Sequence, residues 1–267
     1  MRLLAVGDVV GRPGREALRR YLPLLRERFK PAVVVVNGEN AAGGRGITPA
    51  IAKEILGWGA DAITLGNHGW DRREAWRFLK SEPRVLCPLN HPPLAPGNRS
   101  LIFVLPQGFR LALVLLAGRV FQPEIPDCPF RAIDAFLTRM SGAYDALVVE
   151  IHGEASSEKA ALAWYLDGRA AAVLGSHTHV QTADATILPG GCAFITDIGM
   201  TGPVRSVIGM EVDGAIRRFR TQLPVRLEVA RGPGGLDAVL VDIDERTGRA
   251  SRIQPFRMRE GESENPE

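Results

Sequence analysis

Five short polar segments hold most of the side chains in this chain that could do chemistry. They are Gly7-Asp8, Asn37-Gly38-Glu39-Asn40, Gly66-Asn67-His68, His152, and His177-Thr178-His179. Of the five histidines, only His91 lies outside them. Their donors are carboxylate, carboxamide and imidazole without thiolate, a hard-to-borderline set that suits divalent manganese, iron, zinc or magnesium. Two carboxylates and three histidines exceed what one catalytic ion needs if it is to keep an open position. A dinuclear centre, with one carboxylate shared between ions ~3.5–4 Å apart, uses the set economically, and its usual work is activating water against phosphorus or a carbonyl.

Each segment alone has a plainer explanation. Asp8 suits a helix cap or a turn. Asn37, Gly38 and Asn40 are ordinary turn residues, and Asn67-His68 and His152 fit hydrogen-bonded strand ends. His177 and His179 resist this treatment, because an i, i+2 pair in extended backbone points both rings to one side. Recurrence argues for a site: every segment follows an apolar run, at an equivalent topological position.

Those runs are the elements that must position the polar residues. Apolar stretches at 3–6, 32–36, 62–65, 101–105, 111–115, 146–150, 171–174, 192–195, 207–212, 225–229 and 238–243 predict strands. Helices are predicted over 15–29, 49–56, 73–80, 130–141 and 156–166. Pro23 is expected to kink or divide the first helix. Thr48 and Pro49 form a cap followed by a first-turn proline. Continuous Val/Ile/Leu runs between helices predict an α/β fold with a mostly central sheet covered on both faces. Ligands gather beyond the carboxyl ends of strands in such sheets, so the segments are expected to meet.

At 267 residues, 45% hydrophobic and 24% charged, the chain can bury a full core. It reads as one domain over 1–257 with a polar, acidic tail over 258–267 expected to be disordered. A net charge of +3 with scattered arginines speaks against an extended nucleic-acid face. Asp8 cuts short the initial apolar run, so no signal peptide is expected, and Pro106, Gly108 and Arg110 break the greasiest stretch, so no membrane span is. Cys87, Cys128 and Cys192 are too dispersed for a disulfide scaffold or zinc knuckle and fit the reducing cytoplasm. Gly7, Gly11 and Gly14 lack dinucleotide-loop spacing, and Asp8 would repel a pyrophosphate, which leaves an NAD-binding fold a distant alternative. No GxSxG elbow is present.

The longer motifs narrow the choice. They are Gly7-Asp8-Val9-Val10-Gly11-Arg12-Pro13-Gly14-Arg15, Asn37-Gly38-Glu39-Asn40, Gly66-Asn67-His68, His152-Gly153-Glu154, Gly175-Ser176-His177-Thr178-His179-Val180-Gln181-Thr182 and Thr196-Asp197-Ile198-Gly199-Met200-Thr201-Gly202-Pro203. In this order, from residue 1 to about 255, the chain resembles the YmdB-type metallophosphoesterases, a bacterial branch of the calcineurin-like phosphoesterase superfamily. The resemblance implies a four-layer α/β/β/α sandwich, a dinuclear centre of iron or manganese, hydrolysis of 2′,3′-cyclic nucleotides to 3′-nucleotides, and a homo-oligomer. By position, Asp8, Glu39, Asn40 and His179 would hold one ion, and Glu39, Asn67, His152 and His177 the other, with Glu39 bridging. His68 would be the proton donor to the leaving group. Val10 stands where the wider superfamily has histidine, and Glu39 replaces its bridging aspartate, two departures shared with the narrower branch. Glu150-Ile151 and Gly153 depart from the commoner Asp-Phe and alanine at non-ligand positions, bearing on ligand orientation and pocket shape. A phosphomonoesterase, a nuclease acting on RNA ends, or a non-catalytic metal-containing regulator would use the same residues.

Overall fold

The computed structural model describes residues 1–123 and 126–259. The chain runs β1 (Arg2–Val6), β2 (Asp8–Val9), α1 (Gly11–Phe29), β3 (Val33–Asn37), α2 (Pro49–Gly57), β4 (Ala62–Thr64), α3 (Ala75–Ser81) and β5 (Val85–Leu86). It continues with β6 (Ser100–Val104), β7 (Arg110–Ala117), α4 (Pro129–Arg139), β8 (Ala146–His152), α5 (Ser156–Leu166), β9 (Ala172–Ser176) and β10 (Thr186–Ile187). It closes with β11 (Ala193–Ile195), β12 (Met200–Pro203), α6 (Val212–Thr221), β13 (Gly234–Asp244) and β14 (Arg249–Met258).

The strands form two sheets and not one central sheet. The first has the order β2-β12-β13-β1-β3-β4-β5, with β14 paired to β13; the second is β10-β11-β9-β8-β7-β6. Strands β1, β3, β4 and β5 run parallel, as do β7, β8, β9 and β11, so each group aims its carboxyl ends one way.

Side-chain alternation along these strands builds three cores. Leu3 and Ala5 of β1 and Val33 and Val35 of β3 meet Leu111, Leu113, Val148 and Leu174 of the second sheet. The intervening Leu4, Val6, Val34 and Val36 face Leu18, Leu22 and Leu25 of α1. On the far side, Val114, Val149 and Ile151 pack against Ile133, Phe136 and Leu162 of α4 and α5. The order is helix, sheet, sheet, helix. Each fully buried Leu or Ile contributes about 1.5–3 kcal/mol relative to an exposed one.

Local chemistry accounts for most boundaries. Thr48 Oγ1 accepts from Ile51 N at 3.2 Å, capping α2 with Pro49 in its first turn. Helix α1 begins at Gly11 and runs through Pro23 to Phe29 undivided. Its buried stripe of Ala17, Leu18, Tyr21, Leu22 and Leu25 holds both sides of the proline to the sheet. Gly14 lets α1 close on β12, since a Cβ there would run into the Thr201 carbonyl.

Three expectations are corrected. Residues 207–212 and 225–229 are not strands; they make isolated bridges Val207–Met210 and Met210–Val229, and α6 occupies the space between. The last strand is β14, an arginine-rich edge paired along β13. Met258 ends that strand and Arg259 bonds Asp237, so neither belongs to a polar tail; residues 260–267 lie outside the described residues. No helix among the described residues is long and apolar enough to cross a membrane.

Candidate metal centre

The carboxyl ends of strands from both sheets deliver the polar segments to one rim. Asp8 follows β1, Glu39 and Asn40 follow β3, and Asn67 and His68 follow β4. From the second sheet, His152 ends β8, and His177 and His179 follow β9. Asp8, Glu39 and His152 are essentially inaccessible, at 0–1% exposure.

His152 Nε2 is the centre of the group. It lies 3.0 Å from Glu39 Oε2, 3.0 Å from His177 Nδ1 and 3.2 Å from Asn67 Oδ1. One ring nitrogen carries at most one proton and cannot satisfy three such neighbours. Asp8 Oδ1 lies 3.9 Å from His179 Nε2 and 4.0 Å from His152 Nδ1. Asn40 donates to the Gly44 carbonyl at 3.1 Å, which leaves its Oδ1 buried and without a partner. Asp8 Oδ1 is likewise buried without a hydrogen bond, and Glu39 Oε2 has only the crowded His152 Nε2 beside it.

These orphaned oxygens fit a cation, and the histidines are prepared for one. The Ser176 hydroxyl donates to Glu150 Oε1 at 2.7 Å, so Ser176 Oγ accepts from His152 Nδ1 at 2.9 Å. His152 Nε2 is therefore the nitrogen left facing the cluster, where it can carry a proton or offer a lone pair to an ion. Glu154 Oε2 lies 3.2 Å from His177 Nε2, which turns the Nδ1 lone pair inward. The Ile208 carbonyl accepts His179 Nδ1–H at 2.9 Å and frees Nε2. Outer partners of this kind set the tautomer of metal-binding histidines. Gly66 completes the cradle: a Cβ there would collide with Glu39 Oε2 and the His152 ring.

Electrostatics without an ion show what the ion replaces. Burial pushes the Asp8 carboxyl up to about 7. Burial also opposes charge on Glu39, but His152 overcomes it and draws Glu39 down to about 2. His152 rises to about 9 against its own burial, because Glu39 favours the imidazolium. Burial and the neighbouring His152 lower His177 to about 3. Protons on Asp8 and His152 stand in for cationic charge.

The backbone differs from expectation at His177 and His179. Neither is extended: φ is 98° and 65°, and β9 has already ended at Ser176. His177 turns to His152 and His179 to Asp8, so the pair serves two places and not one. Asp197 imposes this turn. It accepts from Thr178 N at 2.9 Å, Thr178 Oγ1 at 2.7 Å and Gly199 N at 2.8 Å, and pairs with the buried Lys159 Nζ at 3.1 Å. His68 stands beside the cluster, near enough for its charge to act on Glu39, and its Nδ1 lies 3.0 Å from Asp71 Oδ2. Nothing in the sequence signals Asp71, Ile208 or Lys159, and Glu154, Ser176 and Asp197 stand within the motifs without an assigned role. Glu150, a charged residue inside an apolar strand, was a legible signal.

A four-layer α/β sandwich with a carboxylate–amide–imidazole cluster at the joined strand ends is the architecture of a metallophosphoesterase. Residues 4–256 match the YmdB-like protein family, and the chain belongs to that family. It is 46% identical over 254 residues, 95% of this chain and 96% of the relative, to the 2′,3′-cyclic-nucleotide 2′-phosphodiesterase of Bacillus subtilis (strain 168). A solved structure of a hypothetical protein from Thermus thermophilus superposes with a TM-score of 0.91 at 42% identity, covering 97% of this chain and 99% of that one. A novel phosphatase from Mycoplasma pneumoniae superposes with a TM-score of 0.92 at 29% identity, covering 97% and 93%.

Proposed function

We propose that the chain is a dinuclear metal-dependent phosphodiesterase that hydrolyses 2′,3′-cyclic nucleotides to 3′-nucleotides. The observation that carries this reading is that His152, His177 and His179 are each held at one ring nitrogen by an outer partner (Ser176, Glu154 and the Ile208 carbonyl), which leaves the other nitrogen facing the cluster. Asp8, Glu39, Asn40 and His179 would hold one ion, and Glu39, Asn67, His152 and His177 the other, Glu39 being shared. The donor set suits iron or manganese. When bound, such ions lower the pKa of water and offset charge on phosphoryl oxygens.

The chain's own residues supply the rest. Opening the cyclic phosphate breaks the P–O2′ bond, adds water to phosphorus and leaves O2′ in need of one proton. His68 Nε2 gives it, with Nδ1 anchored on Asp71. Asp197 and Lys159 keep the His177–His179 turn in place during the reaction.

The reading extends to a single domain that runs through β14 to Arg259, supported by a core that draws on both halves of the chain. A cytoplasmic location is in keeping with three free cysteines. The exposed apolar row Val212, Ile216 and Phe219 on α6 supports a homo-oligomer.

Purified protein reconstituted with Mn2+ or Fe2+ is assayed on a 2′,3′-cyclic nucleotide, a simple phosphomonoester and a short RNA. Preferential release of the 3′-nucleotide is expected. Faster monoester or RNA cleavage would transfer the reading to a phosphatase or a nuclease, and full metal occupancy without diester turnover would favour a regulator.

A further inference from the structure

A groove of about 340 Å3 opens beside His179. Its lining includes the aliphatic Val180, Val204 and Ile208 and the charged Asp237, Arg257 and Arg259. The three aliphatic side chains are 56%, 46% and 51% exposed.

Ile208 is the telling residue. Its φ is 46°, a conformation that a β-branched side chain takes only where the surroundings impose it. The surroundings do so. Ser206 Oγ donates to the Pro203 carbonyl at 2.7 Å and accepts from Gly209 N at 2.9 Å, and Ala230 N donates to the Gly209 carbonyl at 2.9 Å. The turn aims the Ile208 carbonyl at His179 Nδ1 and stands the side chain in the groove. Orienting His179 needs only the carbonyl, which glycine would present without strain. The branched side chain therefore has a separate use, and an apolar surface held open in this way gains nothing until something packs on it.

We propose that this groove is the nucleobase subsite, with Ile208, Val204 and Val180 packing against the face of the base. The inference rests on the cyclic-nucleotide reading above. Charge agrees with it: the Arg257 and Arg259 guanidiniums share the single carboxylate of Asp237, which leaves the groove positive for an anionic ligand.

The test compares kcat/KM for 2′,3′-cyclic AMP with that for methyl riboside 2′,3′-cyclic phosphate, which keeps the reacting ring and lacks the base. The wild-type protein is expected to prefer the nucleotide by about tenfold or more, the discrimination a small apolar contact supplies. Ile208→Gly and Val204→Ala should each shrink that ratio about three- to tenfold. Calorimetric titration with Mn2+ checks that His179 is still held in Ile208→Gly. Equal rates on the two diesters in the wild type, or an undiminished ratio in both variants, overturns the proposal. If neither diester is cleaved, the phosphodiesterase reading fails, and the groove is judged on the Mn2+-loaded protein with 3′-AMP and methyl riboside 3′-phosphate. Equal affinities then overturn it, whereas a preference for 3′-AMP that Ile208→Gly removes supports it.

Discussion

Asp71 Oδ2 lies 3.0 Å from His68 Nδ1, three residues away in the turn after β4. The carboxylate holds the ring through Nδ1 and pairs with its imidazolium form, the form in which Nε2 has a proton to give. His68→Ala should lower kcat by about 10²–10⁴-fold, the usual range for a lost general acid, with metal content unchanged by elemental analysis. Asp71→Asn, which misorients the donor without removing it, should cost about ten- to a hundredfold. Loss of an ion in His68→Ala, with the rate per remaining ion retained, would show that His68 is a ligand instead.

The proposed ligands answer to a different readout. Asp8→Ala and His177→Ala should arrive from purification with less metal than the wild type. Glu154 is half exposed and touches His177 only at the outer nitrogen. Glu154→Gln should therefore weaken Mn2+ binding about 10–100-fold in calorimetry while leaving the melting temperature in place. Unchanged affinity would mean that Glu154 does not set the His177 tautomer.

Proton and cation compete for the cluster. Metal-free, His152 titrates near 9 and Asp8 near 7, both raised by folding. Raised values stabilise the metal-free fold below the ordinary range of each group, and that contribution drains away as pH climbs through the folded values. Chelator-treated protein should thus melt lower at pH 9 than at pH 6, whereas Mn2+-loaded protein should not follow it. Mn2+ affinity should rise about tenfold per pH unit for each proton expelled. A flat melting curve across that interval for the metal-free protein refutes the assignment of protons to His152 and Asp8.

Lys159 and Asp197 meet in the interior behind the histidine turn, both inaccessible. Lys159→Met strands a buried carboxylate and should cost about 3–5 kcal/mol in urea unfolding. The double variant Lys159→Met/Asp197→Leu should not recover this loss, because Thr178 N and Gly199 N lose their acceptor as well. Full recovery would reduce Asp197 to a simple counter-ion.

The three thiols should separate cleanly. Burial pushes Cys87 and Cys192 up to about 12, whereas backbone N–H groups at the start of α4 lower Cys128. In a native-state thiol titration at pH 7.5, Cys128 should react first and the other two only on unfolding.

The convergence of the polar cluster was legible in the sequence because its side chains interrupt apolar runs at strand ends, where packing has no use for imidazole or carboxylate. The groups that orient them were not. Ser176 and Glu154 stand inside the motifs, but nothing in their spacing says which ring nitrogen they hold, and Lys159 and Asp197 are 38 positions apart. Ile208 acts through its carbonyl, an atom every residue has. The two sheets read as one because strands buried on both faces show the same apolar run whatever lies opposite. Helix α6 escaped notice because Val212, Ile216 and Phe219 are spaced among arginines, and its flanks resemble short strands.

The rim where the two sheets meet has one more consequence. Asp8, Glu39, Asn40 and Asn67 come from one sheet, and His152, His177 and His179 from the other. Neither half of the chain carries all seven proposed ligands, so an ion held by them would act as a suture across the two. On the proposed ligation, loading would certify assembly: molecules whose halves have not docked would stay inert, and reactivity would be confined to those that have finished folding.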